Sequence, residues 1–384
     1  MRKYIKNISM YISKNKGGIM KAKAAVFMGA NKPFEVREFD VTPVPAGYGC
    51  SELIASGVCG TDVHFHRGKL NVASPSIIGH EFVGRLLDLD EQEGKKYGLA
   101  KGDCVIADIA VPCGECLLCR EGDDANCVNM RVTNGGSIEE APYLYGGYTE
   151  VNYTPLSNLI KIPSDLDAEM VCVFACPGPT AMHAFVLAEK AGVNLKNIRS
   201  AVVQGLGPVG MFALMYLKTI GVERVFAIVA GDNKKREEVA YKLGADGIFN
   251  LSRESEKHIT SVLQQENGGL GVDLVFEASG APSAVVQGMD ILRNRGVYLI
   301  PGQYSNSGGV TVNPQIITFK ALHIIGSSQY SVSDVRKYLH FLEEHKEVHL
   351  LIKAMMNRYT IDQVNLAFRD AEANKNIKTV LVKG

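Results

Sequence analysis

The sequence predicts an α/β protein in which a mostly β domain is joined to a domain built on a parallel sheet with helices on both faces. Three observations predict this. From Lys21 to about Cys176, apolar stretches such as Lys23–Met28 and Ser51–Ala55 alternate with Gly and Pro punctuation, the pattern of short half-buried strands. From Ala201 onward, short apolar runs alternate with helical stretches, which implies parallel strands covered on both faces. After about residue 320 the pattern becomes mixed again, which suggests that the C-terminus completes the first domain. The expected division is a basic extension at 1–19, a first domain at 20–177 and 320–384, and a second at 178–319.

The second domain reads element by element. Ala201–Gln204 is a strand, followed by a helical stretch to about Ile220. Val225–Val229 is the next strand, then a helix around Lys234–Leu243. Gly247–Asn250, Asp273–Phe276 and Val297–Pro301 read as further strands, with a helix opened by Pro282 between the last two.

Composition bounds the class of protein. At 384 residues with 46% hydrophobic and 21% charged, the chain has the make-up of a two-domain globular enzyme. No apolar run approaches the roughly 20 residues that span a bilayer, so no membrane partner is expected. The 41 basic and 41 acidic residues balance, but Arg2, Lys3, Lys6, Lys14 and Lys16 all fall in residues 1–19. The remaining body is acidic and offers no general attraction to nucleic acid. Nine cysteines without a signal-peptide pattern, four of them close together, suit metal binding in the cytoplasm rather than a secreted disulfide framework. Lys16-Gly17-Gly18 is compatible with a coding ribosome-binding site just before the Met20 codon. Met20 is therefore the expected natural start, with a disordered basic arm as the competing reading.

Gly205-Leu206-Gly207-Pro208-Val209-Gly210 gives GxGxxG between a predicted strand and a predicted helix, the context a Rossmann dinucleotide fold requires. Gly205 would make the tight turn, Gly207 would let the backbone approach a pyrophosphate, and Gly210 would let helix and strand pack closely. The helix N-terminus would receive the phosphate charge. An acid is expected where the next strand ends, but that strand ends Val229-Ala230-Gly231, and the first acid is Asp232. Asp232 would repel a 2′-phosphate and so favours NAD. Lys234, Lys235 and Arg236 would instead favour NADP. The choice stays open, with a lean to NAD.

Cys113, Cys116, Cys119 and Cys127 form C-x2-C-x2-C-x7-C. Four thiolates at this spacing can close a tetrahedral zinc site. An iron–sulfur cluster is the rival, weakened by the long last gap and by the lack of a following Cys-Pro. A zinc-ribbon nucleic-acid module is opposed by the acidic body.

Cys59-Gly60-Thr61-Asp62-Val63-His64 and Gly79-His80-Glu81 complete the set. Alone, each is more simply a packed Cys or His. Together, and in this order with the cysteine lobe and GxGxxG, they resemble the zinc-dependent alcohol dehydrogenases of the medium-chain dehydrogenase/reductase family, from about Met20 to Gly384. Within that family, Pro301-Gly-Gln-Tyr304 and Val312-Asn313-Pro314 are similar to the branch acting on secondary, cyclic or polyol-type alcohols.

The resemblance implies a GroES-like catalytic domain, two zinc ions, a nicotinamide dinucleotide, an alcohol or matching carbonyl substrate, and a homodimer or homotetramer. It matches Cys59, His80 and Cys176 to catalytic zinc ligands, with Cys172 the nearby competitor. Glu81 matches the carboxylate beside that metal and Asp62 the group orienting the bound histidine. Thr61 matches the hydroxyl on the alcohol oxygen, His64 the end of the proton relay, and Thr180 a residue beside the nicotinamide. Three protein ligands leave one zinc position open, the mark of a catalytic site. His66 is a rival relay end, His183 reads as packing, and residues 143–148 are candidates for lining the pocket. The alternatives are physiological reduction of an aldehyde or ketone, a quinone- or enoyl-type reductase, and a non-catalytic cofactor sensor.

Overall fold

The computed structural model describes residues Met20–Gly384, so the expectation about residues 1–19 lies outside the described residues. The chain forms two compact units. The first comprises residues up to Val111, Met130–Ala175 and Met356–Gly384. The second comprises Pro112–Asn129 and Cys176–Met355.

In the first unit the central strands are Tyr48–Gly57 and Glu81–Leu89, paired antiparallel. Cys104–Ala107 and Leu159–Lys161 continue the sheet on one side. On the other side the C-terminal strand Lys378–Val382 pairs with Tyr48–Gly57, and Met356–Thr360 forms the edge. The chain's end therefore completes the first sheet. Apolar residues of alternate register, including Leu53, Phe82, Leu86 and Val105, face one core.

In the second unit six parallel strands run in the order Gly247–Asn250, Arg224–Val229, Ser200–Gln204, Val272–Glu277, Leu292–Ile300, His323–Gly326. This is the Rossmann order, with its switch point beside Ser200–Gln204. Ser200–Gln204 and Val272–Glu277 are buried at every position, as central parallel strands covered on both faces must be.

The structure departs from the sequence expectation in three places. The parallel sheet does not stop at 319: His323–Gly326 pairs with Leu292–Ile300, and the helix Val332–Glu344 packs on the helix Pro177–Lys190, so this unit runs to Met355. The segment containing 113–127 groups with the second unit, although its sequence lies within the first. The strand expected at Val297–Pro301 begins at Leu292 and ends at Ile300.

Candidate functional site

The strand Tyr48–Gly57 ends just before Cys59, and the strand Glu81–Leu89 begins just after His80. Their register pairs Gly57 with Glu81, which brings Cys59 and His80 to the same end of the sheet. Cys176 follows directly on Ala175, the last residue of the first unit's Met130–Ala175 segment. One ligand atom each from Cys59, His80, Glu81 and Cys176 lies within 4.8 Å of the others, so these four could hold a metal ion. Two thiolates and an imidazole suit zinc, with the carboxylate as an alternate fourth donor. Cys172 is turned away: it is buried, and its thiol donates to the Glu81 carbonyl at 3.3 Å.

The short helix Gly60–His66 starts at Cys59, and Asp62 closes its first turn by accepting the Cys59 N–H at 3.0 Å. The same Asp62 oxygen accepts the Tyr148 hydroxyl at 2.7 Å, and its other oxygen lies 3.5 Å from His80 Nδ1. Asp62 thus couples the helix start to the orientation of the histidine, as an outer carboxylate does in metal sites. Tyr148 reaches Asp62 past Gly79, whose missing side chain matters: a Cβ there would lie 2.6 Å from the tyrosine ring. Thr61 Oγ1 lies 3.8 Å from Cys59 Sγ.

Glu81 is fully buried and ion-paired with Lys378, which is equally buried. Gly57 makes room for the pair, since a Cβ there would collide with the Glu81 carboxylate and the Lys378 chain. Burial pushes Glu81 up to about 7 even against the pull of Lys378.

His64, on the short helix Gly60–His66, is half-buried. Burial, then Lys69, holds its pKa below the ordinary value, so it is a neutral base at pH 7. The rival His66 is engaged elsewhere: its Nδ1 meets Glu372 at 2.8 Å and its ring stacks on Phe34. His183 pairs with Asp334 at 3.0 Å inside the second unit. Among residues 143–148, Tyr148 supports Asp62, while Tyr143 and Tyr145 pack against the core.

The sulfurs of Cys113, Cys116, Cys119 and Cys127 form a second cluster within 4.8 Å. Three sulfur pairs lie at 3.4 to 4.0 Å, close to the edge of about 3.8 Å of a tetrahedron with zinc–sulfur bonds near 2.3 Å. The Cys116 N–H donates to Cys113 Sγ at 3.3 Å and the Cys113 N–H to Cys127 Sγ at 3.2 Å. Backbone N–H groups of Cys119 and Val128 hold the Cys116 thiol at about 6, while burial and the Cys116 thiol push Cys119 up to about 12. A divalent cation held there would resolve that conflict by stabilising all four thiolates.

The glycine-rich turn follows Ser200–Gln204. Gly205 has φ +92°, Gly207 caps the helix Pro208–Thr219 with open space before it, and a Cβ on Gly210 would meet the Gly205 carbonyl at 1.9 Å. Gly205 and Leu206 line a cavity with Val229, Ala230, Gly231, Asn233, Arg236 and Glu237. Pro208 and Val209 form the first turn of the helix. Thr180 donates to the Cys176 carbonyl at 2.8 Å, and its hydroxyl lies 3.8 Å from the Cys176 sulfur. Asp232 is not in the cavity wall as expected. Two N–H groups of Arg253 bind one of its oxygens at 2.7 and 3.0 Å on the outer surface.

Residues 52–164 match the model for the alcohol dehydrogenase GroES-like domain, and residues 208–344 match that for zinc-binding dehydrogenases. An L-threonine 3-dehydrogenase of Caldanaerobacter subterraneus subsp. tengcongensis is 30% identical over 71% of this chain and 73% of its own length. The chain belongs to the medium-chain zinc alcohol dehydrogenase family. An erythritol/L-threitol dehydrogenase of Mycolicibacterium smegmatis is 29% identical over 80% of this chain and 83% of its own. An alcohol dehydrogenase of Thermotoga maritima superposes with a TM-score of 0.86 at 26% identity, covering 95% of this chain and all of its own. This zinc alcohol dehydrogenase is thus an oxidoreductase that moves a hydride between an alcohol and a nicotinamide dinucleotide. Sequence reasoning missed Tyr148 as a support of Asp62, and it missed Lys378. Only the sheet register brings Lys378 to Glu81.

Proposed function

We propose that this dehydrogenase takes a secondary or polyol-type alcohol and holds two zinc ions per chain. The reading rests above all on the convergence of Cys59, His80 and Cys176 with Glu81. Cys113, Cys116, Cys119 and Cys127 would hold a structural ion, which leaves the first group for catalysis. Threonine, erythritol and threitol each carry a hydroxyl on a secondary carbon, and relatives named for them support the substrate class.

When bound, zinc lowers the pKa of the alcohol hydroxyl toward neutrality and the dinucleotide accepts the hydride. The protein's part is positioning and proton transfer. Asp62, held by Tyr148 and the Cys59 N–H, keeps the His80 ring in its ligand orientation. Thr61 receives the alcohol proton through its hydroxyl, and half-buried His64, neutral at pH 7, is the relay's end. Glu81, paired with Lys378, would supply an alternate carboxylate donor to a metal held by Cys59, His80 and Cys176. Thr180 would lie beside a bound nicotinamide, and the Gly205–Gly210 turn, whose backbone leaves room for a close approach, would receive the pyrophosphate.

Self-association through the edge strand His323–Gly326 would give the homodimer or homotetramer. Nine cysteines, none joined in a disulfide, suit a reducing compartment, and we place the enzyme in the cytoplasm.

The test is elemental analysis together with an alcohol panel read at the reduced-nicotinamide band. Two zinc equivalents with turnover of secondary alcohols is the expected result. Two zincs with no turnover of any alcohol or carbonyl would overturn the catalytic reading, and a single zinc would overturn the two-site assignment.

A further inference from the structure

We infer that His66 is a positioning residue of the proton relay: held between Glu372 and the Lys32 carbonyl, it fixes the helix that carries Thr61 and His64. The inference rests on the alcohol-oxidation reading above and adds to it a group outside the relay itself.

The helix Gly60–His66 has only seven residues. A helix of two turns has little stability of its own, so contacts from outside must hold it. Its residues divide between two faces. Thr61 and His64 are three apart and share one face, whereas Asp62 and His66 are four apart and share another. The second face is the anchored one. At the helix start, Asp62 accepts the Cys59 N–H at 3.0 Å and the Tyr148 hydroxyl at 2.7 Å. His66 is the matching anchor in the last turn.

His66 is bonded at both ring nitrogens. Nδ1 lies 2.8 Å from a Glu372 oxygen, and Nε2 lies 3.1 Å from the Lys32 carbonyl. A carbonyl only accepts, so Nε2 donates. Arg67 Nε lies 3.7 Å from the same Glu372 oxygen and favours the ionised carboxylate, which also only accepts. Both bonds together therefore require the doubly protonated ring, and a cation in the last turn of a helix is favoured by the helix dipole. The backbone is held as well, because the Asn31 N–H donates to the His66 carbonyl at 2.7 Å and Arg67 Nη2 donates to the Glu372 carbonyl at 3.0 Å.

The groups that hold His66 are themselves fixed. The Asn365 side chain accepts the Phe34 N–H at 2.8 Å and donates to the Phe34 carbonyl at 3.0 Å, which joins the chain after Lys32 to the helix Val364–Glu372. The His66 ring stacks on Phe34 at 5.8 Å and lies 5.5 Å from Phe368, and Tyr148 meets Phe368 edge-on at 5.7 Å. Both anchors of the short helix thus stand in one aromatic cluster. His64 needs this support. Its Nδ1 is buried and makes no hydrogen bond among the described residues, so no bond at that nitrogen orients the ring and its place follows from the helix backbone. A misplacement of about 1 Å in a reacting group can cost about a hundredfold in rate. The clamp acts at the far end of the helix from Cys59, which separates it from metal binding.

The test is the single-turnover rate of nicotinamide reduction by the zinc-loaded full chain, with zinc content and circular dichroism measured on every variant. His66→Phe keeps the ring stack and loses both hydrogen bonds, while Glu372 keeps Arg67. It should slow the single turnover about tenfold with zinc content and fold unchanged. Glu372→Gln still accepts from the ring and should stay within about threefold of the unaltered rate, whereas Glu372→Ala should lose about as much as His66→Phe. In a His64→Gln background, His66→Phe should cost less than about twofold more, because it acts through the relay. Unaltered rates in both His66→Phe and Glu372→Ala overturn the inference and leave the dehydrogenase reading intact. A full tenfold loss in the His64→Gln background also overturns it, since that marks a packing role independent of the relay. If His66→Phe fails to fold, the two Glu372 variants decide, and equal rates in both overturn the clamp. Absence of turnover in the unaltered enzyme overturns both this inference and the reading it rests on.

Discussion

Lys378→Met tests the least expected feature of the site. Lys378 and Glu81 are at most 1% exposed and form an ion pair in which neither charge reaches solvent. Two unit charges at about 3 Å attract by about 5 to 6 kcal/mol at an effective dielectric near 20. Much of that attraction offsets the cost of burying the ions, so the net worth of the pair is small. Removing one partner is different, because it leaves an uncompensated buried charge, and such changes cost about 3–5 kcal/mol.

The sign with pH follows from Glu81. Its folded pKa is already raised to about 7 by burial, and losing Lys378 raises it further. A raised carboxyl contributes stability that is present below its unfolded value and lost as pH rises through its folded value. Lys378→Met should therefore lose more stability at pH 9 than at pH 6, read by urea unfolding with far-UV circular dichroism. Adding Glu81→Gln should recover most of the loss, because the double variant buries no charge. A cost under about 1 kcal/mol, the size of an exposed pair, would refute the reasoning. So would a double variant no more stable than Lys378→Met alone.

Other outcomes follow from the same geometry. His80→Ala should abolish turnover and halve the zinc content while leaving a folded protein by circular dichroism. Cys116→Ala should remove the other zinc and lower the thermal midpoint before it affects the chemistry, because a closed site contributes folding energy. The His64 pKa is held below its ordinary 6.5, so its base form persists at neutral pH and alcohol oxidation should fall only on the acid side of 6.5. His64→Gln should lose that acid limb along with about a hundredfold in rate. Tyr148→Phe should weaken zinc retention under chelator challenge by about tenfold or more, since it removes the hydroxyl that steadies Asp62; retention equal to that of the unaltered chain would show that the Cys59 N–H alone is enough.

What was legible in the sequence shares one property: it is local. GxGxxG, the four-cysteine lobe and the Cys59–His64 motif each lie within a short stretch of chain, where spacing alone carries the signal. The parallel strands were legible because buried strands read as apolar runs. The rest depended on tertiary pairing. Asp232 sits one residue past the expected acid, and only the position of Arg253 decides that it turns outward. His66 looked equivalent to His64 until Glu372, from the far end of the chain, claimed it. The extension of the sheet to Gly326 escaped the sequence because His323–Gly326 is a partly exposed edge strand with a weak apolar signal.

Lys378 shows why such supports escape sequence reading and why the site is nonetheless well defined. The strand Tyr48–Gly57 is flanked by Glu81–Leu89 on one side and Lys378–Val382 on the other, with Gly57 opposite Glu81 and Val380 opposite Gly57. The Val58 N–H bonds the Thr379 carbonyl at 2.9 Å, which carries the register one residue past the strand toward Cys59. A slip of one residue in either pairing would turn every side chain to the opposite face. Glu81 would leave Lys378, His80 would leave Cys59, and Gly57 would no longer lie under the ion pair. The apolar alternation that fills the core of this sheet forbids such a slip, because it would expose Leu53, Phe82 and Leu86 together. The hydrophobic pattern of three strands thus sets the relative positions of two metal ligands and the charge pair beside them, although none of those polar residues belongs to the pattern.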